Sequence, residues 1–219
     1  MCPCSLDYGG TRIYPTNLRK TIMTSLTYDS VYEFQTKFKR QISPVPSVEV
    51  KDAKLRWRLI SEEMSELFLA ALRSDYIEMA DALGDLDYVI EGAAITFGFK
   101  LNYDIGYSLD NWVFDGDIIG AMYTSFEYFS NALNYGSWEE ARLFLSELRG
   151  FVYLLAERWE VPLEEIVAAI HKSNMTKLDE DGEPILDSHD KIMKGPNYIP
   201  PTEDIKKIME SVTFERRRA

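Results

Sequence analysis

Two helical stretches that each carry several carboxylates among apolar residues constrain this chain more than any other feature. Arg58 to Gly98 reads RLISEEMSELFLAALRSDYIEMADALGDLDYVIEGAAITFG, with Glu62, Glu63 and Glu66 in the first stretch and Glu78, Asp81 and Asp85 in the second. Residues three and four apart share a helix face, so Glu63 and Glu66 point one way and Glu78, Asp81 and Asp85 another. Leu59, Glu63, Glu66 and Ala70 form one stripe, beside Ile60, Met64, Leu67 and Ala71. In the second stretch Met79, Leu83, Leu86 and Ile90 are apolar, and Ala80, Ala82 and Gly84 leave room for close helix approach. The acids thus lie at the edge of a buried face, where unpaired carboxylates are costly. Hard divalent cations take oxygen ligands and offset such charge, so Glu63, Glu66, Glu78, Asp81 and Asp85 are read as a metal-binding set.

No glycine-rich phosphate loop, dinucleotide fingerprint or nucleophile with a histidine partner occurs, which leaves metal-activated water as the available phosphoryl chemistry. The expected class is all-α, since no strand-like alternation appears. Helices are expected from about Ser30 to Arg40, Asp52 to Arg73 and Ser74 to Phe97, the last stopped by Gly98. Residues 1–22 read as an irregular extension, 23–201 as the main helical domain with an extra helical segment at 105–160, and 202–219 as a helix with a basic tail. Phe129 to Leu163 aligns with Phe68 to Leu101, matching Leu83 to Leu145 and Leu86 to Leu148. An internal, degenerate duplication and the ordinary likeness of amphipathic helix pairs explain this equally well. The aromatics Trp112, Phe114, Tyr123, Phe126, Tyr128 and Phe129 are expected to be core.

With 36 acidic against 24 basic residues the net charge is −12, which argues against a nucleic-acid partner despite the Arg216-Arg217-Arg218 tail. No window approaches a membrane span and no signal peptide is seen, so no membrane partner and a cytoplasmic location are expected. Cys2 and Cys4 have no partners at zinc spacing.

Glu62-Glu63-x-x-Glu66 followed by Glu78-x-x-Asp81 resembles the EExxE and ExxD pattern of the all-α, MazG-like nucleoside triphosphate pyrophosphohydrolases, in the branch labelled phosphoribosyl-ATP pyrophosphohydrolase-like. Val31–Phe38, Leu55–Glu63, the run after Ala80, HKSNMTKLDEDGEPI and KGPNYIPP extend the likeness over most of residues 28–201, apart from about 105–160. The resemblance implies a magnesium- or manganese-dependent enzyme, expected as a homodimer, that converts a nucleoside triphosphate to the monophosphate and pyrophosphate. It also implies Glu62 and Glu63 as catalytic residues, the water being oriented or deprotonated by Glu62. Lys172, Ser173, Asn174 and Lys177 would bind substrate, as would Lys194 and Asn197, with Lys191 a further candidate. The tail and insertion depart from the compact enzyme dedicated to histidine biosynthesis. A catalytically silent nucleotide or metal sensor is the alternative, distinguished by binding without pyrophosphate release.

Overall fold

The computed structural model describes residues 16–102 and 112–216, with the backbone alone for 16–26 and 213–216. Seven helices follow one another among the described residues: α1 Thr16–Lys37, α2 Val50–Arg73, α3 Tyr76–Phe97, α4 Asp115–Tyr135, α5 Trp138–Arg158, α6 Leu163–Asn174 and α7 Thr202–Arg216. No strand forms among these residues, only two isolated bridges, Leu178 with Pro184 and Leu186 with Ile192. No described helix is long and apolar enough to cross a membrane.

The hairpin α2–α3 has local causes. Ser74 ends α2 in the left-handed region, and Asp75 caps α3 by accepting a hydrogen bond from the Glu78 backbone N–H. Gly98 stops α3 at a φ of 68°, and a Cβ there would lie 2.2 Å from the Val45 carbonyl oxygen. The segment before α2 is tied to this end of α3 by bonds from Ser43 N to Ile95 O and Ser47 N to Phe97 O. A second hairpin, α4–α5, turns at Gly136, which is also left-handed.

Helix α3 is the centre of the molecule, packed by α1, α2, α5, α6 and α7. Leu83, Leu86, Ile90, Ala93, Ala94 and Phe97 are fully buried. Burial of each large apolar side chain stabilises the fold by about 1.5–3 kcal/mol. The close approach expected at Gly84 is made to α6: a Cβ there would lie 2.5 Å from Ile170 Cδ1 and 2.7 Å from Ile166 Cγ2.

Two expectations are corrected. Helix α1 begins at Thr16 rather than near Ser30, so residues 16–22 are helical, while 1–15 lie outside the described residues. Thr27 shows what holds this polar helix: it is buried, and its hydroxyl donates to Asp87 of α3 at 3.0 Å. Of the six aromatics, Phe129 is buried and Trp112 and Phe126 are partly buried, whereas Phe114, Tyr123 and Tyr128 are exposed.

Candidate active site

The carboxylate stripes of α2 and α3 face one cavity of about 460 Å³. Along α2 its wall runs Arg56, Leu59, Glu63, Glu66, and along the antiparallel α3 it runs Gly92, Tyr88, Asp85, Asp81. Both series follow helical spacing, which makes the two faces a ladder with acids at one end. Helix α1 adds Phe34 and Gln35, and α6 with the chain after it adds Ser173, Asn174 and Lys177. The remaining side is closed by a strap containing Lys191, Lys194 and Tyr198. No residue of α4 or α5 lines it.

The strap is fastened by charge to α2 and to the turn that follows α1. Asp187 accepts from Arg58 at 3.0 Å, Asp190 pairs with Lys51 at 2.7 Å, Glu183 pairs with Lys39 at 2.5 Å, and Lys191 pairs with Glu62. Gly195 allows the strap to lie against its own start, because a Cβ there would come within 2.1 Å of the Leu178 carbonyl oxygen.

Burial, reinforced by Asp85 and Glu66, raises the Glu63 carboxyl above the usual carboxylate range. Burial also raises Asp81, with Asp85, Glu78 and Glu66 adding to the effect. In Asp85 burial again dominates, opposed by Lys177. Burial lowers Lys177, against the pull of Asp85 and Glu63. These directions describe a crowd of like charges removed from water, which favours protonation until a cation takes the proton's place.

As they stand, no three carboxylate, imidazole or thiol side chains among the described residues are arranged to hold a metal ion. The donor set nevertheless fits a hard divalent cation. All its donors are carboxylate oxygens, they repel one another, and Asp81 Oδ1 is buried without a hydrogen-bond partner.

The residues singled out from the sequence divide by position. Glu63, Glu66, Asp81, Asp85, Ser173, Asn174, Lys177, Lys191 and Lys194 line the cavity. Glu78 is exposed in the first turn of α3, outside the lining, and acts on Asp81 through its charge. Glu62 sits outside the lining, paired with Arg58 at 3.3 Å and with Lys191. Lys172 points away and pairs with Asp204 of α7 at 2.7 Å. Asn197 contacts the Asp179 carbonyl oxygen at 3.5 Å, within the strap. Ser173 lines the cavity while donating to Ile199 O at 2.6 Å, and Lys194 lies 4.8 Å from the centre of the Tyr198 ring.

Several cavity residues carried no signal read from the sequence. Tyr88 OH lies 2.9 Å from His171 Nδ1 and also bonds the Asn174 side chain. Gln35 and Arg56 form a buried pair, with Nη2 of Arg56 donating to Gln35 Oε1 at 2.9 Å. The spacing of Arg56, seven residues before Glu63, was a usable signal, since seven residues return to the same helix face.

The match to a known family falls on this part of the molecule. Residues 31–103, which supply α2, α3 and most of the α1 wall, match the model of the phosphoribosyl-ATP pyrophosphohydrolase family. This segment is MazG-like. The activity that accompanies the match is nucleotide pyrophosphohydrolysis. An uncharacterized protein, L479, of Acanthamoeba polyphaga mimivirus is 28% identical over 180 residues, covering 69% of this chain and 70% of the viral protein. No solved structure matches the chain.

Proposed function

We propose that this MazG-like chain hydrolyses a nucleoside triphosphate to the monophosphate and pyrophosphate with the help of a divalent cation, magnesium or manganese. The single observation that carries the reading is the meeting of Glu63, Glu66, Asp81 and Asp85 with Lys177, Lys191 and Lys194 in one cavity. Carboxylates alone would repel a polyphosphate, and lysines alone would hold it without activating water. Together they suit a cation–triphosphate complex.

Glu63, Glu66, Asp81 and Asp85 would hold the cation, with Glu78 at the rim. The bound ion supplies Lewis-acid polarisation of phosphate oxygens and a lowered water pKa. Lys177 and Lys194 reach into the cavity as point charges for the phosphates. Lys191 has two roles, because its ammonium both lines the cavity and holds Glu62. Glu62 lies just outside the lining and is held by Arg58 and Lys191. A triphosphate that draws Lys191 away would leave it on Arg58 alone, and in this reading it would then turn toward the cavity and take the proton of the attacking water. Water oxygen bonds to the first phosphorus, the bond from that phosphorus to the bridging oxygen breaks, and pyrophosphate departs.

Pyrophosphate release from a panel of nucleoside triphosphates, with magnesium or manganese and alongside Glu66→Gln, tests the reading. Release that the substitution abolishes is the expected result. Nucleotide binding without release would instead favour a sensor.

A further inference from the structure

Away from Glu63, Glu66, Asp81 and Asp85, in a cavity that Arg40 and Asp190 also line, lies a buried cation without an ion-pair partner. Arg56 is buried, yet no carboxylate lies in ion-pair range of it among the described residues. Its one hydrogen bond there goes from Nη2 to Gln35, and its buried Nε has no acceptor. Burial and the neighbouring Arg40 lower its pKa to about 10, against the weaker pull of Asp52. A buried guanidinium left short of acceptors is costly unless something else supplies them.

The surrounding residues hold this guanidinium in place. Gln35 Nε2 donates to the Gln41 carbonyl oxygen at 2.7 Å and to Thr96 Oγ1 at 3.4 Å, which turns its Oε1 toward Arg56. Gly92 leaves the space that the fork occupies: a Cβ there would lie 2.9 Å from Arg56 Nη1. The apolar walls next to it are Phe34, Leu55 and Val89.

Seven residues of helix separate Arg56 from Glu63, about 10 Å along the axis. That is the span from a nucleotide's first phosphate to the far edge of its base. We infer that Arg56, positioned by Gln35, reads the base of the nucleotide whose phosphates meet the carboxylates, and that it selects keto bases, guanine, uracil or thymine, over adenine and cytosine. Arginine carries donors only. It pairs with the carbonyl oxygen and ring nitrogen of guanine, and a carbonyl of uracil or thymine also accepts from it. The discrimination is made at purine C6 and pyrimidine C4: where guanine, uracil and thymine carry a carbonyl there, adenine and cytosine carry an amino group that would meet the guanidinium donor to donor. The inference rests on the proposed function for the orientation of the ligand, and its test is chosen to fail separately.

The test has two parts. Calorimetry with the full chain and four deoxynucleoside monophosphates, dGMP, dUMP, dAMP and dCMP, reads the base without turnover. Relative kcat/KM for the corresponding triphosphates reads it during turnover. Both should favour the keto bases by about tenfold or more. Arg56→Met should remove the preference mainly through KM. Gly92→Ala, which keeps the charge and crowds Nη1, should weaken the preference in a folded protein whose circular dichroism is unchanged. Equal binding of the four monophosphates, preference for adenine or cytosine, or a preference that survives both substitutions would overturn the inference while leaving the hydrolase intact. Keto preference in binding with no pyrophosphate released from any triphosphate would support the base site and overturn the hydrolase.

Discussion

Arg149 Nε on α5 lies 2.6 Å from Asp87 Oδ1 on α3, and its Nη1 also meets Glu91 of the same helix. All three side chains are buried. Asp85 and Asp87 are only two residues apart, and the helix turns them to opposite sides, one to the cavity and one to α5. Helix α3 therefore carries two carboxylate pairs in unlike settings. Asp87 and Glu91 share one arginine built into the fold. Asp81 and Asp85 have no such arginine and face an open cavity with lysines on its other walls, which supports the proposed cation site.

Removing the arginine should expose the cost of the structural pair. Arg149→Met leaves two buried carboxylates without their counter-ion and is expected to destabilise the chain by about 3–5 kcal/mol in urea unfolding. Adding Asp87→Asn and Glu91→Gln to it should recover part of that loss. A stability loss below about 1 kcal/mol would show that the pair contributes little.

The cavity acids should behave in the opposite way. Asp81→Asn removes one of several mutually repelling carboxylates, so the metal-free protein should melt at the same or a higher temperature. Activity with magnesium should fall by more than about 100-fold. Loss of folding in this variant would contradict a functional role for the repulsion.

Magnesium should stabilise the folded chain by mass action, by about 2.7 kcal/mol at a concentration one hundred times its Kd. Differential scanning calorimetry with and without the ion, on the unsubstituted chain and on Asp81→Asn, checks this independently of turnover. An equal shift in both proteins would place the ion elsewhere.

The hairpin that carries the acids was legible in the sequence because its signals are local. Asp75 caps α3, Gly98 ends it, and the observed bounds of α2 and α3 fall within two residues of those expected. The start of α1 was not legible, since its threonines and asparagine have weak helical preference and the buried Thr27 bonds to a residue sixty positions away. Arg149 with Asp87 and Glu91 left no local trace for the same reason. In the cavity, helical spacing brought out Glu63, Glu66, Asp81 and Asp85. It could not show that Lys172 is taken by Asp204 or that Glu62 is held by Lys191, because those partners come from distant segments.

The strap over the cavity should loosen in acid. Hydrogen bonds from Arg58 and from the backbone of Lys191 and His189 hold the Asp187 carboxyl down to about 2, below its usual 3.8. A depressed carboxylate stabilises the folded form above its unfolded pKa, and that contribution is lost as pH falls through the folded value. Pepsin cleavage within residues 178–200 should therefore rise between about pH 4 and 2, and Asp187→Asn should already be cleaved readily at pH 4. Identical pH profiles for the two proteins would contradict the fastening role.

Gly98 offers a test of the hairpin geometry. Gly98→Ala places a side chain in the left-handed region and against the Val45 carbonyl oxygen, so a loss of more than about 2 kcal/mol is expected in thermal or urea unfolding. A neutral substitution would mean that the chain before α2 is not fastened to the end of α3 as described.

Product identity tests the central claim most directly. Phosphorus NMR of a nucleoside triphosphate turned over with magnesium should show the monophosphate and pyrophosphate, and the Asp81→Asn variant should show almost neither. Diphosphate with orthophosphate, or undiminished turnover by Asp81→Asn, would contradict it.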